Sequence, residues 1–356
     1  MSFEVLVASI PEGGSCMHTI ILEDFGTFLG KKGDRFIVKQ KGKTLGEFPA
    51  SQVDRVIISS TGASLSSAAI YLAVDNRIPL AFTYSDGSPF GFLTPTQGHG
   101  TVRTRRAQYV HADSEYATHL SRRFIEGKTL NQKSLLNLWA KNRTRTNPEI
   151  SDCLNNLSSE IEKLMNELET IEGPMSSEIR NTIMNLEGRI ALNYWTGLSH
   201  IIPSSYGFTT RNTRGADDPF NMLLNYGYGI LYSEVWSAVN IAGLDPFAGF
   251  LHADRPGRPS LVLDLIEEFR QQAVDRILVR LTTKKMIDSA NVIKSQELSK
   301  EVRSILATEI VNRLSQQVDY QNKKISLKNI IVRQAWMVAK FLRDEVSEYR
   351  PFHLRW

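Results

Sequence analysis

Short runs of alternating or β-branched apolar residues mark the first hundred positions: "HTIILED", "RFIVKQ", "RVIISS", "PLAFTY" and "FGFLT". Gly, Asp and Lys turns such as "GKKGD" and "QKGKT" close them, and period-two patterning of this kind predicts strands. One stretch, "SSAAIYLAVDN", predicts a short helix ahead of Pro79. The segment "TPTQGHGTVRTRR" has the Pro, Gly and Arg content of a linker. From about Ala112 the period lengthens to 3.6 residues, and "ISDCLNNLSSEIEKLMNELETIEG" predicts a helix that stops at Gly173 before Pro174. Further helices are predicted from near Ser176, Pro219, Pro259, Ser295 and Leu327, separated by "GADDP", "GLDPF" and "ADRPGRP". The expected fold class is α+β. A small β-sheet domain spans residues 1–105, and a large all-α domain spans residues 106–356.

One position breaks this pattern. In "TIMNLEGRIALNYWTGL", residues 182–198, a helical wheel groups Ile183, Leu186, Ile190, Ala191, Tyr194 and Leu198 on one face with Ile179. Glu187 falls inside that stripe, between Tyr194 and Leu198, while Asn185, Arg189 and Asn193 point away. A carboxylate on a buried face is expensive without a cation or strong donors against it. Something positive is expected there.

Composition narrows the class. The chain has 42 Lys plus Arg against 38 Asp plus Glu, so its overall charge of +4 is only a weak pointer to an anionic partner. Any such argument rests on clustering. Cys16 and Cys153 match no metal or redox spacing, which fits a reducing cytoplasmic compartment. "MSFEVLVASIPEGG" lacks a basic stretch followed by an apolar core, so no signal peptide is expected. The longest uncharged run, "VIISSTGASLSSAAIYLAV", is too polar for a membrane span. "GTFLGKKG" has one spacer too few for a phosphate loop, and Lys32 stands where Ser or Thr would meet the metal; it reads as a hairpin turn.

The segment "GFLHADRPGRPSLVLDLIEEFR", residues 249–270, offers more. His252 precedes a Pro and Gly loop, Ser260 is expected to cap the following helix, and Asp264 can share a face with Glu267 or Glu268. The wheel does not choose between those two glutamates. A histidine and carboxylates from this segment, added to Glu187, make a mixed nitrogen and oxygen site suited to Mn²⁺ or Mg²⁺. Alone, the segment reads better as a solvated helix face with His252 a hydrogen-bonded loop residue; Glu187 shifts the balance, since a carboxylate on a buried face requires a cation. In "TTRNTRGADDPFNMLLNYGYG", Arg211 and Arg214 precede a helix opened by Asp217 or Asp218 and Pro219, with Tyr226 and Tyr228 beyond. Arginines interleaved with aromatics suit a nucleic-acid backbone. Arg103, Arg105 and Arg106, with Lys284 and Lys285, would extend that positive surface.

In order and spacing, "ILEDFGTFLGKKGDRFIVK", "IYLAVDNRIPLAF", "NLEGRIALNYW", "RGADDPFNMLLNYGYGILY" and "GFLHADRPGRPSLVLDLIEEFR" resemble the CRISPR-associated endonuclease and integrase of spacer acquisition. The resemblance runs from about His18 onward. It implies an N-terminal β-sheet domain that forms homodimers and a helical domain that holds a divalent metal, Mn²⁺ or Mg²⁺. Carried over, the metal ligands and catalytic residues fall on Glu187, His252 and Glu267, and Asp264 supports the site or shares the metal. The implied reaction joins the 3′-OH ends of captured double-stranded DNA to the CRISPR repeat by transesterification. The implied partner is the small second protein of CRISPR adaptation. Two readings compete: a non-catalytic DNA-binding scaffold, and a metal-dependent repair nuclease.

Overall fold

The computed structural model describes residues 6–12, 15–84, 87, 89–93, 101–213 and 215–354. Among the described residues, nine strands come first: β1 (Leu6–Glu12), β2 (Ser15–Leu22), β3 (Thr27–Lys32), β4 (Arg35–Gln40), β5 (Lys43–Pro49), β6 (Val53–Ile58), β7 (Ser64–Leu65), β8 (Leu80–Thr83) and β9 (Pro89–Leu93). They form two sheets. One has the order β1-β2-β6-β8-β9, parallel from β2 through β8 and antiparallel at both edges; the other has the order β5-β4-β3-β7. The expected strands are all present, and the β3–β4 hairpin turns at Gly33. Helix α1 (Ser67–Asp75), capped by Ser66, lies where the apolar run predicts.

Side-chain alternation on β2 and β6 serves two cores at once. Ile20, Leu22, Val56 and Ile58 pack with Leu29, Phe36 and Leu72 between the sheets and α1. Ile21 and Ile57 point the other way, into the helical core. Charge pairs tie the same junction. Arg55 meets Glu234 with both side chains nearly buried, Lys328 meets Asp54, and the Tyr226 hydroxyl donates to Glu23 at 3.0 Å. Gly229 lets the chain approach there: a Cβ at this position would lie 2.0 Å from the Gly87 carbonyl oxygen.

The helical part comprises α2 (Thr101–Val110), α3 (Glu115–Lys141), α4 (Pro148–Glu169), α5 (Ser177–Ser199), α6 (Pro219–Ile241), α7 (Ser260–Ile266), α8 (Arg276–Thr283), α9 (Lys300–Ser315) and α10 (Leu327–Leu342). Four expectations need correction. Of the supposed linker, residues 94–100 lie outside the described residues and the rest opens α2, docked by Gln108 donating to Asp245 and Ala248 carbonyls. The periodic stretch ends as a helix at Glu169, and Gly173 takes a φ of +100° in the turn beyond. The helix expected from Ser295 starts at Lys300, because Ser295 and Gln296 form a hairpin turn with positive φ. Ser260 is not a side-chain cap; its hydroxyl donates to the Ala253 carbonyl at 3.1 Å.

Candidate active site

Three helices supply the site. The buried face of α5 carries Ile183, Leu186, Ile190, Tyr194 and Leu198, and Glu187 stands half-buried among them. Its cation is Lys128, from the middle of α3. The Lys128 ammonium contacts Glu187 Oε1 and ion-pairs with Glu267 Oε2 at 2.7 Å, just past the last residue of α7. Arg270 closes on the other Glu267 oxygen at 3.1 Å and lies over the Tyr228 ring, 4.7 Å from its centre. Burial alone would raise the Glu267 carboxyl, but Arg270 and Lys128 outweigh it and hold the group well below the usual carboxylate range. Burial would likewise lower the Lys128 ammonium, and Glu267 and Glu187 reverse that. Glu267, Lys128 and Arg270 thus stay charged although nearly out of water.

His252 enters from the loop before α7, and Asp264 fixes it. The Asp264 side chain is fully buried. One of its oxygens accepts from the Phe250 and Leu251 backbone N–H groups at 2.7 and 3.0 Å. The other accepts from the His252 N–H at 3.0 Å and meets His252 Nδ1 at 2.6 Å. A carboxylate with its lone pairs so occupied holds a loop and a ring tautomer. In this structure Asp264 is therefore a positioning residue: it orients the imidazole and leaves Nε2 as the ring's remaining nitrogen. His252 acts electrostatically on Glu267. Among the described residues, no three His, Cys, Asp or Glu side chains converge closely enough to cage a metal as they stand. The cation at the centre is an ammonium.

Glu267 and Glu268 have separate tasks. Glu268 accepts from the Tyr349 hydroxyl at 2.6 Å, the Phe352 N–H at 2.7 Å and the Gln334 amide at 3.2 Å. Burial pushes its carboxyl up to about 8. Asn131, one turn along α3 from Lys128, donates to the Glu268 and Phe352 carbonyls at 3.1 and 2.9 Å. The segment 349–354 is thereby stitched beneath the acids.

A π-helical turn, Gln271–Asp275, follows, a distortion often found at functional sites. Asp275 accepts from the Tyr194 hydroxyl at 2.8 Å and the Tyr228 hydroxyl at 2.6 Å. Burial lifts its carboxyl from 3.8 to about 6, against those hydroxyls and the charges of Arg270 and Arg211. The folded state therefore binds this proton more tightly than the unfolded one. Its stabilising share is full below about pH 4 and is lost as pH rises through about 6. Asp275→Asn is expected to remove that decline, about 3 kcal/mol for a shift from 3.8 to about 6. Urea midpoints compared across the window check this; an unchanged pH profile would contradict it.

The arginines divide. Arg103, Arg105 and Arg106 are exposed on α2. Arg211 is half-buried, donating to Asn221 and Asn225 at 3.0 and 2.6 Å beside the Tyr228 ring, so it also anchors its loop to α6. Arg214 lies outside the described residues. Asp218 is the cap of α6, with Pro219 at its first position. Lys284 and Lys285 are exposed past α8. Lys128 and Arg270 escape the sequence reading; Lys128 lies on the buried face of α3, whose neighbouring positions mix apolar Phe124, Ile125 and Leu135 with polar Asn131 and Gln132.

A family model described as CRISPR associated protein Cas1 matches residues 20–316, a span that includes Lys128, Glu187, His252, Asp264 and Glu267. The chain belongs to the Cas1 family. It is 36% identical over 346 residues to CRISPR-associated endonuclease Cas1 1 of Archaeoglobus fulgidus, covering 95% of this chain and 99% of that protein. It is 31% identical over 340 residues to CRISPR-associated endonuclease Cas1 1 of Francisella tularensis subsp. novicida, covering 96% of this chain and 100% of the relative. A Cas1 protein from Thermotoga maritima shares the fold, with a TM-score of 0.74 at 19% identity over 94% of this chain and 99% of that one. So does a casposase bound to integration product, with a TM-score of 0.81 at 23% identity over 93% and 92%. The Cas1 fold, a β-sheet region followed by a mostly helical one, is the α+β arrangement described above.

Proposed function

We propose that this chain is a metal-dependent DNA endonuclease and integrase of CRISPR adaptation. The observation that carries this reading is the pair of carboxylates, Glu187 and Glu267, brought from separate helices onto one cation beside an imidazole fixed by Asp264. The names of its relatives support the reaction class: Cas1 relatives are called endonucleases, and a protein of the same fold was captured with an integration product.

The donor set fits a hard divalent ion. Glu187 and Glu267 already share a positive charge, and His252 has one nitrogen committed to Asp264 and the other left over. Those three would hold Mn²⁺ or Mg²⁺, with Lys128 yielding its place between the acids. The bound ion would stabilise charge on the entering and leaving oxygens of a phosphodiester. In strand joining, a DNA 3′-OH attacks the repeat phosphodiester; one P–O bond forms, another breaks, and the leaving 3′ oxygen takes the proton. Water as the attacking group gives cleavage instead. The chain's own share is to fix the acids and imidazole, and to meet phosphates with Arg103, Arg105, Arg106, Arg211 and Arg214. Homodimers through residues 1–105 and a complex with the small second adaptation protein complete the proposal, with both in the cytoplasm. A chain of a solved Cas6-RT-Cas1–Cas2 complex shares the fold over 36% of its length, with a TM-score of 0.76 at 20% identity, and motivates that partner. No helix among the described residues is long and apolar enough to cross a membrane.

The test joins a 3′-OH duplex to a repeat-bearing plasmid with Mn²⁺ or Mg²⁺ and the partner protein. Joined product is expected with metal and none after full chelation; undiminished joining under chelation would end the metal reading. Replacing Arg103, Arg105 and Arg106 by Gln is expected to flatten the salt dependence of DNA binding by up to ~0.9 in slope for each phosphate no longer neutralised. An unchanged slope would remove α2 from the interface.

A further inference from the structure

Away from the paired acids, the end of α3, α8 and α9 line a solvent-open cavity of about 920 Å³. No residue of the Glu187–Glu267 site lines it. Its walls carry five cationic side chains, Arg143, Arg276, Arg280, Lys284 and Arg313, against one carboxylate, Glu309. That carboxylate is already committed to Arg280. Leu138, Trp139 and Ile277 supply an apolar wall.

Arg313 makes this a built site rather than a charged surface. It is 5% exposed. Its Nε donates to the Gln272 carbonyl at 2.8 Å and Nη1 to the Gln316 side chain at 2.7 Å, which fixes the guanidinium plane. Nη2 is buried with no hydrogen-bond partner. Burial and the neighbouring Arg276 lower the group only to about 10, so it stays charged at neutral pH. A buried charged donor without an acceptor is costly, and like charges around it add to the cost. An anion in the cavity relieves both. Guanidinium forks match phosphate oxygens, and the volume suits a ligand of nucleotide size, with the apolar wall free for a base.

We propose that this cavity binds the phosphate of a nucleotide unit, free or within a DNA strand, with Arg313 as the central donor. Such binding requires neither the metal nor the integrase chemistry.

The experiment uses the full chain in EDTA, so catalysis plays no part. Calorimetry with inorganic pyrophosphate and with ATP, and anisotropy with a labelled single-stranded DNA, report binding. Saturable binding of at least one probe is expected, weakened ~10-fold by Arg313→Gln, which removes one charge-assisted hydrogen bond. Lys284→Glu, on the exposed rim where folding is not at stake, is expected to weaken it at least as clearly by placing a like charge at the mouth. Binding of ATP and pyrophosphate without DNA identifies a free nucleotide as the ligand; DNA binding that ATP does not compete with but both variants weaken identifies a strand. No saturable binding of any probe, or wild-type binding by both variants, overturns the proposal.

Discussion

His252→Ala is expected to lower strand joining by ~100-fold or more while DNA affinity stays within about two-fold of wild type. The asymmetry follows from what the imidazole does. Its backbone N–H and Nδ1 are held by Asp264, which leaves Nε2 as the nitrogen for the metal. Its loss therefore leaves untouched the arginines proposed to meet phosphates and removes one donor from the proposed metal site. Glu187→Gln tests the same centre at almost constant volume. It is expected to fail in joining too, yet to remain folded, since Glu267 keeps both Lys128 and Arg270. Joining assays beside anisotropy with the same duplex separate the two effects. If both variants join strands at the wild-type rate, the paired acids have no catalytic role and a DNA-binding scaffold becomes the better reading.

Lys128→Met is expected to have the largest effect on stability. Without metal it leaves two carboxylates facing each other at a nearly dry centre, and breaking such a pairing costs ~3 kcal/mol. Arg270 retains one Glu267 oxygen, and Glu187 is partly open to solvent, which keeps the loss below the full desolvation penalty. Adding Mn²⁺ should then raise the melting temperature of Lys128→Met more than that of the wild type, because the ion no longer competes with an ammonium. Thermal melts with and without Mn²⁺ measure both quantities. Equal Mn²⁺ responses in the two proteins would mean that lysine and metal do not contend for one place.

The misfit at Glu187 is legible because a 3.6-residue period exposes any charge on a buried face. The same test is blunter on α3, where the neighbours of Lys128 one turn away are Phe124 and Ile125 on one side and the polar Asn131 and Gln132 on the other. What it cannot supply is that the two residues meet, since α3 and α5 are joined through α4 and nothing local encodes their register. The choice between Glu267 and Glu268 is equally closed to a helical wheel. It is made by Lys128 on one side and by Tyr349, Phe352 and Gln334 on the other, all remote in sequence. The strands are legible because "RFIVKQ" and "RVIISS" carry short β-branched or aromatic apolar runs bounded by polar residues, the mark of strands buried on both faces. The π-turn after Arg270 breaks the period on which such reading depends, and it leaves no local signal. Capping follows the same division: Asp218 acts as expected, whereas Ser260 spends its hydroxyl on a loop carbonyl.

The stitching of residues 349–354 under Glu268 has a consequence for the timing of assembly. A ribosome delivers α3, α5 and α7 well before Tyr349 and Phe352, so the nascent chain carries the Glu268 carboxyl for a period with none of those partners. Until they arrive, water is the only group able to satisfy it, and the turn bearing Glu267 has no floor to rest on. A partly translated chain therefore already contains Glu187, His252 and Glu267 without the support that sets one of them. On the proposed reading, competence to join DNA waits for a segment that supplies none of the metal's ligands.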